Sequence, residues 1–191
     1  MVPFESRTPS RSLAMTTWIQ KLANAAPDRE SFSKLGLSEI EIDLYLSRYR
    51  PARQDLPLGL PDSDPILSVF DEWDLSSVKI GQISFHQIPL VGESGEIEIG
   101  QVEADPLIVC RRSEVIVREF ASSNILWRVA SNSTCFLNAL IPAAEFLGKR
   151  GVGLVEFDDF DYANEVAEVC ATHAGGQTYR RFFQMLLGTE E

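Results

Sequence analysis

The acids of this chain are interleaved with large aromatic residues. Phe70-Asp71-Glu72-Trp73-Asp74 and Glu156-Phe157-Asp158-Asp159-Phe160-Asp161-Tyr162 both alternate carboxylate with ring. Charge steers a cationic partner from a distance, and aromatic anchors carry much of the energy once it arrives, so the pattern suits docking of a basic protein. Glu96 and Glu98, alternating with Ile97 and Ile99, put two further acids on one face of a half-exposed strand. The candidate contact residues are thus Asp71, Glu72, Trp73, Asp74, Glu96, Glu98, Asp158, Asp159, Asp161 and Tyr162. The same composition also fits a plainer arrangement, in which the rings turn into a core and the acids keep the chain in water.

Other chemistries find less to work with. The two histidines, His86 in a strand and His173 in the last turn of a helix, suit structural roles; an imidazole at a helix C-terminus can bond the free carbonyls. No Gly-x-Ser-x-Gly elbow occurs, which argues against a nucleophilic hydrolase. Gly92, Gly95 and Gly100 are followed by strand pattern and by no Lys-Ser/Thr, so they read as a hairpin turn, not a phosphate cradle. Asp158, Asp159 and Asp161 invite a calcium reading, but counting from Asp158 the sixth and twelfth places are Ala163 and Val169, where an EF-hand needs Gly and Glu. Those acids equally suit a helix N-terminus, with Asp161 near the cap. Cys110, Cys135 and Cys170 form no C-x-x-C pair and read as small apolar residues in a reducing compartment. The expectation is a non-enzymatic protein with no metal and no cofactor.

The elements that must position these residues fall into three blocks. Trp18, Ile19, Leu22 and Ala26 have helical spacing up to Pro27, and a second helix fits Ser38 to Tyr49, with Ser38 as N-cap and Ile42, Leu46 and Tyr49 along one face. Pro51, Pro57, Pro61 and Pro65 make the next stretch a loop. From about Asp64 the period changes from 3.6 to 2. Val78, Ile80, Ile83 and Phe85 read as a strand bulged near Gly81; Ile97–Ile99, Leu107–Cys110, Val115–Val117 and Leu126–Val129 read as further strands. Helical stripes return at Phe136–Leu147, with a kink at Pro142 and an end at Gly148, then at residues 161–174, then at Tyr179–Leu187. Helices, a meander of strands, then helices argue for an α+β fold, with an antiparallel sheet packed against N- and C-terminal helices. Residues 1–14 read as a flexible leader, with Met15 as an alternative start, and residues 15–191 as a single domain with a C-terminal helical extension.

Composition limits the partners. Against 28 Asp+Glu stand 17 Lys+Arg, a formal charge of −11. Phosphate backbones and anionic membrane surfaces are met by basic proteins, so neither is an expected partner. No apolar run approaches the roughly 18 residues of a membrane-spanning helix. The acidity is local: residues 61–110 hold ten acids and one base, residues 151–191 eight acids and two bases, while residues 1–60 are close to neutral.

Residues 105–140 bring a family into view. Asp105-Pro106-Leu107-Ile108-Val109, then Glu114-Val115-Ile116-Val117, then Trp127-Arg128-Val129-Ala130-Ser131-Asn132-Ser133 leading into Cys135-Phe136-Leu137-Asn138-Ala139-Leu140, resembles the SUKH superfamily. The helix at Leu37–Tyr49, the Pro-rich loop after it, and strands about Gly81 and Gly100 are similar to that family's opening, so the resemblance spans roughly residues 35–147. The turn at Arg111-Arg112-Ser113-Glu114 departs from the family in lacking a Gly. The resemblance implies a cytoplasmic, non-catalytic binding protein. Bacterial members are immunity proteins that neutralise a cognate toxin, often a nuclease; eukaryotic relatives are regulatory scaffolds, which is the alternative reading here. A nuclease must hold phosphates and is basic, so an acidic inhibitor can compete for its surface.

Overall fold

The structure, a computed structural model, describes residues 9–60, 64–92, 94–111 and 113–189. It is α+β. Among the described residues it has six α-helices, one antiparallel sheet of six strands and a second of two.

Helix α1 spans Pro9–Asn24. It begins inside the segment read as a leader; residues 1–8 lie outside the described residues. Trp18 and Leu22 bury their side chains, and the Trp18 indole N–H donates to the Leu137 carbonyl at 2.7 Å. Helix α2, Glu39–Ser47, opens on a capping box: the Ser38 hydroxyl accepts from the Glu41 N–H, and the Glu41 carboxylate accepts from the Ser38 N–H. Its buried residues Ile42 and Leu46 join Phe32 and Val152 in a small satellite core.

The Pro-rich loop holds the two-residue strand β1, Ala52–Arg53, which pairs with β2, Trp73–Asp74. Between them lies a helix where the sequence suggests strand: α3, Pro65–Glu72, capped by Asp64 with Pro at its first turn. Ile66, Leu67, Val69 and Phe70 are all fully buried, so no polar face marks the helical period. Propensity lost to capping and Pro at N1.

The main sheet runs in chain order: β3 Lys79–Ile80, β4 Ile83–Val91, β5 Ile97–Val102, β6 Asp105–Val109, β7 Val115–Arg118 and β8 Ile125–Ala130. Gly81, with φ +58°, starts the two-residue turn between β3 and β4; it is not a bulge in one strand. The irregularity falls further along, between Phe85 and Leu90 of β4. Cys110 and Glu114 close a three-residue turn in which Ser113 takes φ +65°. That left-handed place is where glycine is ordinarily found.

Helix α4, Ser133–Gly151, is capped by Asn132 and runs through both Pro142 and Gly148. Gly148 does not end it. A Cβ there would lie 2.9 Å from the Tyr49 hydroxyl and 3.1 Å from Pro27, so the glycine admits these two residues against α4. Helices α5, Phe160–Ala174, and α6, Arg180–Leu187, complete the helical side. Leu107, Val109, Val115, Val117 and Val129 face it within one continuous core. Ile108 and Ile116, between them in sequence, point to the other side of the sheet, where they are nonetheless buried.

Candidate functional site

The ten candidate contact residues do not form one surface. They divide among a loop anchor, the outer face of the sheet and the entry to α5.

The first group is mostly internal. Asp71 is 5% exposed, and its carboxylate accepts from the Gly59 N–H at 2.7 Å and the Leu60 N–H at 3.2 Å, tying the Pro-rich loop to α3. It is a tether and presents nothing to a partner. A buried carboxylate must find donors, and the two loop amides are those donors. Phe70 is fully buried. Trp73 is half-buried and packs on the main core. Glu72 is half-buried, and its carbonyl receives the Gln54 N–H across the small sheet. Asp74 accepts from the Ser76 N–H at 2.9 Å and from Gln87 at 3.4 Å. In this stretch Phe70 turns inward and the carboxylates of Asp71 and Asp74 accept from backbone amides, while Glu72, Trp73 and Asp74 stay half-exposed.

Glu96 and Glu98 lie on the sheet face turned away from the helices, since Ile97 and Ile99 between and beyond them pack on the main core. Each has a partner of its own. Arg118 grips Glu96 through two hydrogen bonds of 2.9 Å, and this contact holds the Glu96 carboxyl below the usual carboxylate range. His86 meets Glu98 at 2.8 Å, and Arg128 meets Glu114. These three pairs lie over Ile108 and Ile116: Glu98 stands opposite Ile108, and Arg128 opposite Ile116, in register. The face thus carries three side-chain pairs over two isoleucines. A shallow depression of about 480 Å³ opens beside it, lined by Ser94, Glu96, Cys110, Arg111 and Glu114. Burial pushes the Cys110 thiol up, away from the reactive thiolate.

The third group is the exposed one. Asp159, not Asp161, caps α5, accepting from the Tyr162 N–H at 3.1 Å; Asp161 stands exposed in the first turn. Tyr162 is half-buried, its ring edge-on to Phe146 with centroids 5.4 Å apart. The rings that do face water are Phe157, 80% exposed, and Phe160, 51% exposed. Arg150 underlies Phe157. Its guanidinium lies 4.5 Å from the Phe146 centroid and 5.4 Å from that of Phe157, and it donates to the Leu187 carbonyl at 2.7 Å. Burial pulls its pKa down, with Asp159 opposing. The cation is therefore fixed between two rings and α6, and it restrains the inner side of Phe157 while the outer side stays open. Phe160 also borders a polar cleft of about 980 Å³ between α5 and α6, where Arg180 is paired with Glu168 and Asn164 with Gln184.

Sequence reasoning placed Phe157 and Phe160 in an acid–aromatic run but could not turn them outward. The link to Arg150 crosses a helix end and a loop and leaves no periodic trace. Also unread were Ile40 and Leu44, 80% and 66% exposed on α2. Cys170 is buried, with its thiol pushed up to about 12, whereas Cys110 and Cys135 are only half-buried; all three are free. Among the described residues, no group of three or more His, Cys, Asp or Glu could hold a metal ion, and no helix is long and apolar enough to cross a membrane. The chain matches no family model, and no curated protein or solved structure was found similar to it.

Proposed function

We propose that the chain is a protein-binding module with no chemistry of its own: a cytoplasmic immunity protein that occludes the working surface of a basic toxin. One observation carries the reading. Phe157 projects into water from a fixed guanidinium, within the acids Glu156, Asp158, Asp159 and Asp161. A ring already restrained loses little freedom on binding, and the surrounding acids raise the encounter rate with a cationic protein. The resemblance of residues 105–140 to the SUKH superfamily supports an immunity protein over other binding modules. Free thiols suit a reducing compartment.

The test is a capture experiment with three baits: the wild-type chain, Phe157→Ala, and Asp158→Lys with Asp161→Lys. Asp159 is left alone because it caps α5. The wild type is expected to retain one basic protein and to block its activity. The alanine bait should bind it about 30-fold more weakly, as befits a central anchor. The charge-reversed bait should associate more slowly and with a flatter dependence on salt. A partner held equally by all three baits would remove this surface from the reading. Retention of endogenous regulatory proteins in place of a toxin would replace the inhibitor with a scaffold.

A further inference from the structure

Two helices packed side by side leave a trough wherever the side chains between them are short. Helices α4 and α5 do so at Pro142, whose ring stands in for a longer side chain, and at Val166 and Val169. The trough holds about 220 Å³. Most of its lining is apolar: Pro142 and Phe146 stand one turn apart on α4, and Tyr162, Val166 and Val169 follow at i, i+4 and i+7 on α5. Val169 is 47% exposed, so the trough is open to water on that side. A single exposed valine needs no explanation, but a concave apolar lining between charged residues does.

Two acids line the same trough, Glu145 from α4 and Glu165 from α5. They are not equivalent. Lys149, one turn beyond Glu145, donates to its carboxylate at 2.7 Å and neutralises it. Glu165 is exposed and makes no ion pair with any described residue, and neither does Asp161 one turn before it. The trough thus combines an apolar lining with one uncompensated carboxylate. A lysine has the matching parts: a four-carbon stem that lies along apolar surface, and an ammonium held in water at its end. A leucine would bury its side chain here but leave Glu165 unmet. Arginine's wide planar fork suits a narrow trough less well than the compact ammonium.

We infer that the trough between α4 and α5 seats a lysine side chain of the basic partner protein, its stem along Tyr162, Val166 and Val169 and its ammonium on Glu165. The inference rests on the reading of the chain as a binder of a basic protein, and adds to it one residue type and the place where it docks. The trough is continuous with the Phe157 surface. Tyr162 lies edge-on to Phe146, Phe146 faces the Arg150 guanidinium, and Arg150 reaches Phe157. A partner seated on Phe157 therefore finds the trough at the other end of one row of rings. Tyr162, a candidate contact by its sequence, serves as a wall of the trough.

The probe is the peptide acetyl-Gly-Gly-Lys-Gly-Gly-amide, titrated into the full chain and followed by NMR at the valine methyls. Binding should be in the millimolar range, because one side chain buries little area, with shifts centred on Val166 and Val169 and weakened by salt. The same peptide with norleucine in place of lysine should bind about threefold to fivefold more weakly, and so should the lysine peptide to Glu165→Gln. Val169→Lys should abolish binding without lowering the thermal transition, since a lysine one turn after Glu165 fills the trough from within the chain. Norleucine bound as tightly as lysine overturns the inference. So do shifts spread evenly over the acidic faces, or binding that survives Val169→Lys. The outcome is separable from that of the Phe157 surface. As a capture bait, Glu165→Gln should hold the basic protein about fivefold more weakly. A partner lost to Phe157→Ala but fully held by Glu165→Gln removes the trough and keeps the surface; lysine-peptide binding with no basic protein captured keeps the trough and removes the toxin.

Discussion

Replacing Asp71 by alanine separates the two roles a carboxylate in this stretch can have. If the acid serves a docking surface, its loss leaves the fold within about 0.5 kcal/mol of the wild type. The structure sets a different value. Two backbone amides donate to Asp71, from Gly59 at 2.7 Å and from Leu60 at 3.2 Å, and the acid is 5% exposed. A hydrogen bond to a charged group contributes about 1.5–3 kcal/mol. Gly59 is exposed, so its freed N–H returns to water; Leu60 is half-buried but makes the longer bond. The two together give a loss of about 2–4 kcal/mol, a large part of the 5–15 kcal/mol typical of a whole domain. Asp71→Asn keeps an acceptor and loses only the charge, at about 1 kcal/mol. Asp74→Ala, losing contacts at the surface, costs no more than about 1 kcal/mol. The assay is urea unfolding followed by circular dichroism, with limited proteolysis of the 54–60 loop as an independent readout. An alanine variant as stable as the wild type, with that loop no more readily cut, would refute the tether.

Three further outcomes follow from the sheet. Gly100→Ala should cost more than about 3 kcal/mol, or prevent folding, because a Cβ would lie 2.1 Å from the Ser84 carbonyl oxygen and 2.8 Å from the Phe85 Cα; soluble expression and melting temperature report it. Ser113→Gly should stabilise by up to about 1 kcal/mol, since φ +65° is strained for serine and free for glycine; a lower melting temperature would contradict the turn geometry. Arg118→Gln should cost about 0.5–1 kcal/mol at neutral pH. Because Glu96 has its pKa lowered by Arg118, that stabilisation is complete above the ordinary carboxylate range and fades as pH falls through the lowered value, so wild type and variant should converge in acid.

What the sequence made legible was whatever is settled locally. The N-cap at Ser38 is recognised from its own short segment, and the β6–β7 pairing needs only two apolar runs and a turn. Helix α3 was illegible because burial on every side erased its period, so an apolar run beginning at Asp64 looked like strand. Gly81 was misplaced because a turn of two residues and a bulge of one leave nearly the same mark on a period of 2. The contact residues fared unevenly for one reason. A run of acids and rings records composition, while the direction of each ring depends on what returns from elsewhere in the chain. For Phe70 that was the sheet; for Phe157 it was only Arg150, which left its outer side open.

The order of elements also imposes an order of assembly. Six strands that pair only with their neighbours in sequence can zip together as they leave the ribosome, since each pairing joins strands consecutive in the chain. Their core face, with Ile83, Phe85 and Leu107, is covered in part by α3, which is made first and sets Phe70 against Phe85, and otherwise by helices that arrive later, beginning with α4 at Ser133. Until then a finished sheet presents an apolar surface to the cell, and α1, made first, must wait for Leu137 to receive the Trp18 indole. A nascent chain stalled before residue 133 is therefore the form most in need of a chaperone.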